Sequence, residues 1–404
     1  MNKGIFFSCR FPDDNSILFA KLILFIIFPI APVLWSLADM RRRSSYVILF
    51  LYSALIGFCF TINESTGYDS LRYVDVFENI SYTFYIDFAN WITLSSSVHD
   101  FYLQTLAFVV SCFTTNYHYL FFSAAVIFSL FYLSSLRNIT EQEEYKADLV
   151  SFCVLILFLL SNSIININGF RFWTAAWYVV WCSFNIILKD RKFFWILLLL
   201  SPFFHSSMIV YIVVMVAYRL TRNALNFWQA LSIISVFVSS LSVLLFQSVE
   251  GYLPDALQTT IGFYTDKDYI ISRGAGSGWS WLETLSNEAI KVFFVVSLIV
   301  VNKNRMKQVG LSRTQYQLLV FAFCILSFSN FTSSIPSLGN RYIHMVYPFV
   351  AYFLIKYSRI KQVSNLIYLI PVLLFFSILY TFVKMYLPLL PQGFFYSPLP
   401  ALIF

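Results

Sequence analysis

The sequence predicts an all-α fold, a polytopic transmembrane helical bundle of about eleven or twelve membrane helices with two larger segments outside the bilayer. Three observations predict it. Of 404 residues, 59% are apolar and only 12% charged, about half the charged fraction of an ordinary soluble domain. Apolar stretches near the ~20 residues that cross a ~30 Å hydrocarbon core recur from end to end. The basic residues, which give a formal net charge of +7, collect in short loops between those stretches. Positive charge is retained on the cytoplasmic side of membrane helices, so this excess is a topology signal and no nucleic-acid partner is expected.

Residues 1–404 are therefore read as one integral membrane domain, because no polar stretch is long enough to bury a core of its own. Lys3 and Arg10 precede a first apolar run over 17–37. That run is longer than a signal-peptide core, and Arg41-Arg42-Arg43 stands where a small-residue cleavage site would be, so a retained anchor is expected. Further helices are expected over 46–62, 119–136, 149–165, 170–188, 193–218, 227–246, 289–301, 315–330, 342–355 and 365–386. Six basic clusters, at 41–43, 137–146, 189–192, 219–222, 303–313 and 356–361, are all assigned to the cytoplasmic side. The 193–218 run has a basic cluster at each end. It is expected to enter and leave from one side as two bent halves meeting near Ser201-Pro202 and His205, the alternative being a single long tilted helix that would invert everything downstream.

That arrangement leaves two larger periplasmic segments, 63–118 and 247–288. The first contains an apolar piece over 101–113, too short to span and expected to lie in the outer interface. The second contains Gly274, Gly276 and Gly278 beside Trp279 and Trp281, without the Gly-Lys-Ser/Thr that would make a phosphate loop. The six cysteines are scattered singly with no CxxC pair, and they read as small packing residues.

A charge held in hydrocarbon costs at least ~2.5 kcal/mol, so charges at the membrane boundary call for a reason. Arg171 opens a helix with Thr174, Ala175 and Tyr178 at helical spacing on one face; Arg341 opens another with His344 one turn along; Arg72 lies beside Asp69 and Tyr73. All three arginines fall on the predicted outer side, where positive charge is disfavoured. Guanidinium groups grip phosphate oxygens bidentately, so an outer-surface pyrophosphate would repay the cost. Structural roles are the alternative: Asp69 and Arg72 can pair at i, i+3, and interfacial arginines snorkel to lipid phosphate. His205 stands at the hairpin apex, either as a core histidine or as a functional one. His99, His118 and His344 are isolated, and no metal site is expected. The outer segments also gather carboxylates (Glu64, Asp69, Asp75, Asp266, Asp268, Glu283) among tyrosines and tryptophans that suit sugar rings or an interface belt.

The order of these features resembles the O-antigen and exopolysaccharide polymerases of the Wzy and EpsG type. Gly67-Tyr68-Asp69-Ser70-Leu71-Arg72-Tyr73 is similar to the Gly-x-Asp-x-x-x-Tyr element of that family; Asn168-Gly169-Phe170-Arg171 with Ala175 resembles its arginine-led helix. Phe203-Phe204-His205-Ser206 is similar to its Phe-His-x-Ser pattern, and Asn340-Arg341-Tyr342 to its late arginine. The likeness runs from about residue 46 to 361, with two departures: Asn63 and Glu64 replace an arginine ahead of Gly-x-Asp, and Phe172 replaces a glutamine. The resemblance implies a glycosyltransferase in the bacterial inner membrane that moves a growing glycan from undecaprenyl diphosphate to a lipid-linked repeat unit at the periplasmic face. It implies lipid-linked donor and acceptor as partners, with membrane lipids and a polysaccharide chain-length regulator, and no cofactor. On that basis Asp69, Arg72 and His205 are the expected catalytic residues, Arg171 and Arg341 the diphosphate contacts, and Tyr73, Tyr178, His344 and Trp279 the substrate contacts. An O-antigen ligase and a lipid-linked oligosaccharide flippase are the competing readings.

Overall fold

A computed structural model describes residues 15–62, 69–82, 101–161, 169–252, 258, 262, 265–266, 280–305, 310–335 and 338–373. The chain begins with α1 (Asn15–Ile27), α2 (Ile30–Ala38), α3 (Arg43–Phe58), α4 (Asp69–Tyr82) and α5 (Tyr102–Ser111). α6 (His118–Thr140), α7 (Leu149–Ser161), α8 (Phe170–Ile187), α9 (Phe193–Leu199) and α10 (Met208–Leu220) follow. The remainder is α11 (Leu225–Phe237), α12 (Leu241–Glu250), α13 (Ser280–Arg305), α14 (Arg313–Phe331), α15 (Gly339–Lys356) and α16 (Lys361–Ile367). Among the described residues there is no strand. Among the described residues three stretches are long and apolar enough to cross a bilayer unaided, His118–Thr140, Leu285–Arg305 and Arg313–Ser334. The outward faces of α9 and α10 present Phe193, Ile196, Leu199, Val213, Val216 and Leu220 unburied, a run of apolar surface that lipid, not water, would cover. The chain is a polytopic helical membrane protein.

Two expected spans are broken. Residues 17–37 form α1 and α2, separated at Pro29, whose missing N–H and ring favour a helix start over a helix interior. Across the break Lys21, fully buried, donates to Ser44 Oγ (3.2 Å) and Ser45 Oγ (2.8 Å) and lies 5.4 Å from the Trp35 ring centre. Residues 227–246 likewise form α11 and α12, which meet at 97°. No proline makes that bend. Ser239 Oγ accepts from Ser334 Oγ at 3.0 Å, so a contact with the end of α14 holds the chain where it turns. The expected 365–386 helix is represented by α16 and a further turn from residue 370; beyond residue 373 it lies outside the described residues.

Two of the longer inner helices touch backbone to backbone. A Cβ on Gly57 of α3 would stand 2.5 Å from Ala125 Cβ and 2.6 Å from the Phe121 carbonyl oxygen of α6, so only glycine permits this approach. Behind it, Trp177 of α8 packs against Tyr132 (4.7 Å between ring centres) and Phe158 (5.0 Å), and Phe349 of α15 against Phe184 (5.0 Å) and Phe321 (5.1 Å). The core is thus aromatic and centred on α6, α8, α14 and α15.

The six basic clusters converge on one end of this bundle. Arg41 donates to the backbone carbonyls of Gln142 (3.1 Å) and Tyr145, and Lys356 pairs with Glu144 at 2.6 Å. Lys189 lies within electrostatic range of Glu141 and Arg137. Tyr316 reaches the Asn223 carbonyl at 3.4 Å, and the Arg305 guanidinium sits 5.1 Å from the Tyr316 ring centre. Asn304 donates to Gln362 at 2.9 Å, which joins the last cluster.

The bent hairpin is also present. Asp190, at φ 47°, turns the chain sharply after α8, a left-handed conformation that Asp tolerates better than most residues. α9 then runs back along α8, with Phe194 against Trp181 (4.9 Å) and the Leu197 carbonyl accepting from Tyr178 (2.7 Å). It tightens into a 3-10 turn over Ser201–Phe203, which Pro202 enters at its start, and α10 returns toward the basic end.

Candidate functional site

The end opposite the basic clusters holds most of the residues singled out above. α8 and α15 are the two most deeply buried helices, and their exceptions are informative. From Phe170 to Ile187 every residue of α8 is buried except Arg171 and Trp173; from Gly339 to Lys356 every residue of α15 is buried except Asn340, Arg341 and His344. The less buried positions of both helices therefore lie in their first two turns, at the same end.

Aromatic rings fix the two guanidiniums. Arg171 Nε donates to Tyr73 Oη at 3.3 Å, and its guanidinium lies 5.2 Å from the Tyr73 ring centre. Tyr73 is itself buried on α4 against Phe170, 4.6 Å between ring centres. The Arg341 guanidinium lies 4.9 Å from the ring centre of Phe172, and Phe172 in turn meets His205 edge-on at 5.4 Å. Among the described residues no carboxylate pairs with Arg341. Stacking on the Phe172 ring face orients the Arg341 guanidinium without drawing on its N–H donors.

His205 occupies the hairpin apex. Its Nδ1 lies 2.8 Å from Ser207 Oγ, and Tyr342 Oη donates to the Ser207 carbonyl at 3.0 Å, so α15 holds the apex in place. Phe101 N–H donates to the Phe203 carbonyl at 3.0 Å, which pins α5 to the other flank. Burial first, then the charges of Arg341 and Arg171, push the basicity of His205 well below that of an ordinary histidine. Arg341 and Arg171 thus both lie within electrostatic range of the apex.

Asp69 is the first residue of α4, one turn before Tyr73 and on the same face. A carboxylate there also complements the helix dipole. Its contact with Arg72, 3.9 Å with the Arg72 side chain 78% exposed, is a loose surface pair worth little to stability. His344 stacks on Tyr347 (5.6 Å) and meets Trp173 edge-on (5.7 Å). Tyr178 is elsewhere: it is buried two turns below Arg171, stacked on Phe204 at 4.8 Å, with its hydroxyl spent on Leu197. It supports the hairpin instead of lining the opening. Trp279 lies outside the described residues.

Phe172 and Trp173 were not singled out from the sequence. In a run as aromatic as Phe170–Trp181 neither stands out by type. The one signal was the departure at Phe172 from the glutamine expected after the leading arginine. The structure gives Phe172 a task, as the platform under Arg341 and the link to His205.

Against known proteins, no curated sequence and no solved structure matches the chain. A sequence model of the EpsG family matches residues 44–396, a stretch that contains every residue of the opening from Asp69 to His344. The chain belongs to the EpsG family.

Proposed function

We propose that the protein is a polysaccharide polymerase that transfers a growing glycan from undecaprenyl diphosphate to a lipid-linked repeat unit, at the periplasmic face of the bacterial inner membrane. The observation that carries this reading is the placement of Arg171 and Arg341. Two guanidiniums oriented on ring faces, one without a carboxylate partner among the described residues, occupy the end away from the basic clusters. If the clusters mark the cytoplasmic side, the arginines face the periplasm. Positive charge on that side is accounted for by an anion that arrives with the substrate.

The chemistry asks for little else. In the donor, the bond between the anomeric carbon and the diphosphate oxygen breaks, and the diphosphate leaves with both electrons. The acceptor hydroxyl oxygen bonds to that carbon through an oxocarbenium-like transition state, and its proton passes to a base. Diphosphate is already a good leaving group, so the protein needs cations to stabilise it and one base for the hydroxyl. Arg171 and Arg341 hold the diphosphate; Asp69 takes the proton or orients the acceptor, with Arg72 beside it. His205, kept neutral, supports the arginines without adding to their repulsion. Tyr73 and His344 contact the substrate at the edge of the opening, and Trp279 is proposed to contact sugar. The segments 63–118 and 247–288 lie on the periplasmic side. Donor and acceptor glycolipids, membrane lipids and a chain-length regulator are the proposed partners, and an O-antigen repeat the proposed glycan.

Proteoliposomes carrying the purified chain, supplied with lipid-linked repeat unit on one face only, test the reaction. Longer glycans made on the face that bears Arg171 and Arg341 support a polymerase. Movement of unextended glycolipid to the other leaflet, without elongation, would establish a flippase instead. Transfer to lipid A core in place of a second repeat unit would establish a ligase.

A further inference from the structure

α13 carries a charge that nothing above uses. Lys291 lies within the Leu285–Arg305 span, its side chain 3% exposed, and its Nζ meets Glu288 Oε1 at 2.5 Å. Glu288 is 51% exposed, so the pair joins a packed interior to an accessible surface. Among the described residues Glu288 is the one hydrogen-bond partner of Lys291. An ammonium has three donors, and burying one with a single contact is costly unless something else takes the rest.

The position of Lys291 follows from its neighbours. α13 and α15 both end at the basic end, where Arg305 lies within electrostatic range of Tyr357, and so they run parallel. Phe294 meets Tyr347 edge-on at 4.6 Å, which sets their register. Lys291 is three residues before Phe294, and His344 is three before Tyr347. Each lies about one turn before the ring that makes the contact, which sets Lys291 and His344 at the same level of the two parallel helices. Arg341 is one turn further out on α15. Trp173, against His344, is two residues from Arg171. Lys291 therefore lies about one helical turn deeper than Arg341.

We propose that Lys291 is a third cationic contact for the diphosphate of a prenyl-linked substrate, and that Glu288 occupies it until the anion arrives. This rests on the diphosphate reading given under Proposed function. In a purely structural ion pair, removing the exposed Glu288 would strand the buried Lys291 ammonium and destabilise the chain without tightening the binding of an anion. A binding cation with a competing carboxylate makes the two substitutions opposite in sign.

The test uses the full chain in detergent, with farnesyl diphosphate as the probe and thermal stability measured alongside. Lys291→Met is expected to weaken binding at least tenfold, Lys291→Arg to retain most of it, and Glu288→Gln to tighten it several-fold. Unchanged affinity in Lys291→Met, or weakening by both Lys291→Met and Glu288→Gln, overturns the proposal. Where Lys291→Met does not fold, Glu288→Gln decides: tighter binding supports the assignment, and unchanged or weaker binding ends it. Loss of binding in Arg171→Gln and Arg341→Gln with none in Lys291→Met removes Lys291 alone and leaves the diphosphate site standing. No binding by the wild-type chain removes both.

Discussion

Replacing Arg341 with glutamine separates binding from folding more cleanly than any other change to the opening. The guanidinium lies 4.9 Å from the Phe172 ring centre and has no carboxylate partner among the described residues. Its removal strands no buried anion. The stability lost is that of a partly exposed cation–π contact, about 0.5–1 kcal/mol. The loss in function is larger: one hydrogen bond to a charged group is worth about 1.5–3 kcal/mol, or roughly 10- to 140-fold in kcat/KM at 1.4 kcal/mol per decade. Arg341→Lys keeps the charge but not the planar fork, and its loss should fall between wild type and Arg341→Gln. Elongation of lipid-linked repeat units in proteoliposomes, resolved as a glycan ladder, gives the rate, and scanning fluorimetry gives Tm. Wild-type kcat/KM in Arg341→Gln, or a fall in Tm large enough to explain the lost activity, would refute this reasoning.

Arg341→Gln should also move a pH limb. Burial first, and then the charges of Arg341 and Arg171, hold the His205 pKa below its ordinary value, so removing one charge raises it in part, and any loss of rate on protonating His205 should appear at higher pH than in wild type. A Cβ on Gly57 would meet Ala125 Cβ at 2.5 Å, so Gly57→Ala should cost about 1–3 kcal/mol and lower Tm while KM is unchanged in the folded fraction. Gly339→Ala places its Cβ 2.4 Å from Ser333 Cα, two residues before Arg341, and should lower both Tm and kcat/KM. Ser312 and Gln315 form a reciprocal cap on α14 at the basic end; Ser312→Ala should cost about 1 kcal/mol of stability and leave kcat/KM untouched.

What was legible in the sequence is what local chemistry decides. Loop arginines and lysines keep out of hydrocarbon because of their hydration, and all six clusters do meet at one end. Ser201-Pro202 favours a break in a helix, and the hairpin turns there. What was not legible is decided by partners distant in sequence. The 97° turn between α11 and α12 depends on Ser239 meeting Ser334, which apolar periodicity cannot reveal. Pro29 carried a local warning that the length of the apolar run around it masked. Tyr178 shares a helical face with Arg171, but α9 lies against that face and takes its hydroxyl. Nothing local marks Lys291 within its apolar run; its surroundings are set by the packing of α13 on α15.

The central claim is that the arginine-lined opening and the basic clusters lie on opposite sides of one bilayer. Single cysteines at Arg72, Ser206 and Asn340, and at Lys146, Arg222 and Arg359, test it with a membrane-impermeant maleimide on intact spheroplasts. Cys112, exposed in the native chain, is first replaced by serine. The account predicts labelling at 72, 206 and 340 in intact spheroplasts, and at 146, 222 and 359 only after permeabilisation. Labelling of both groups from the same side, or of 72 and 340 from opposite sides, would contradict it.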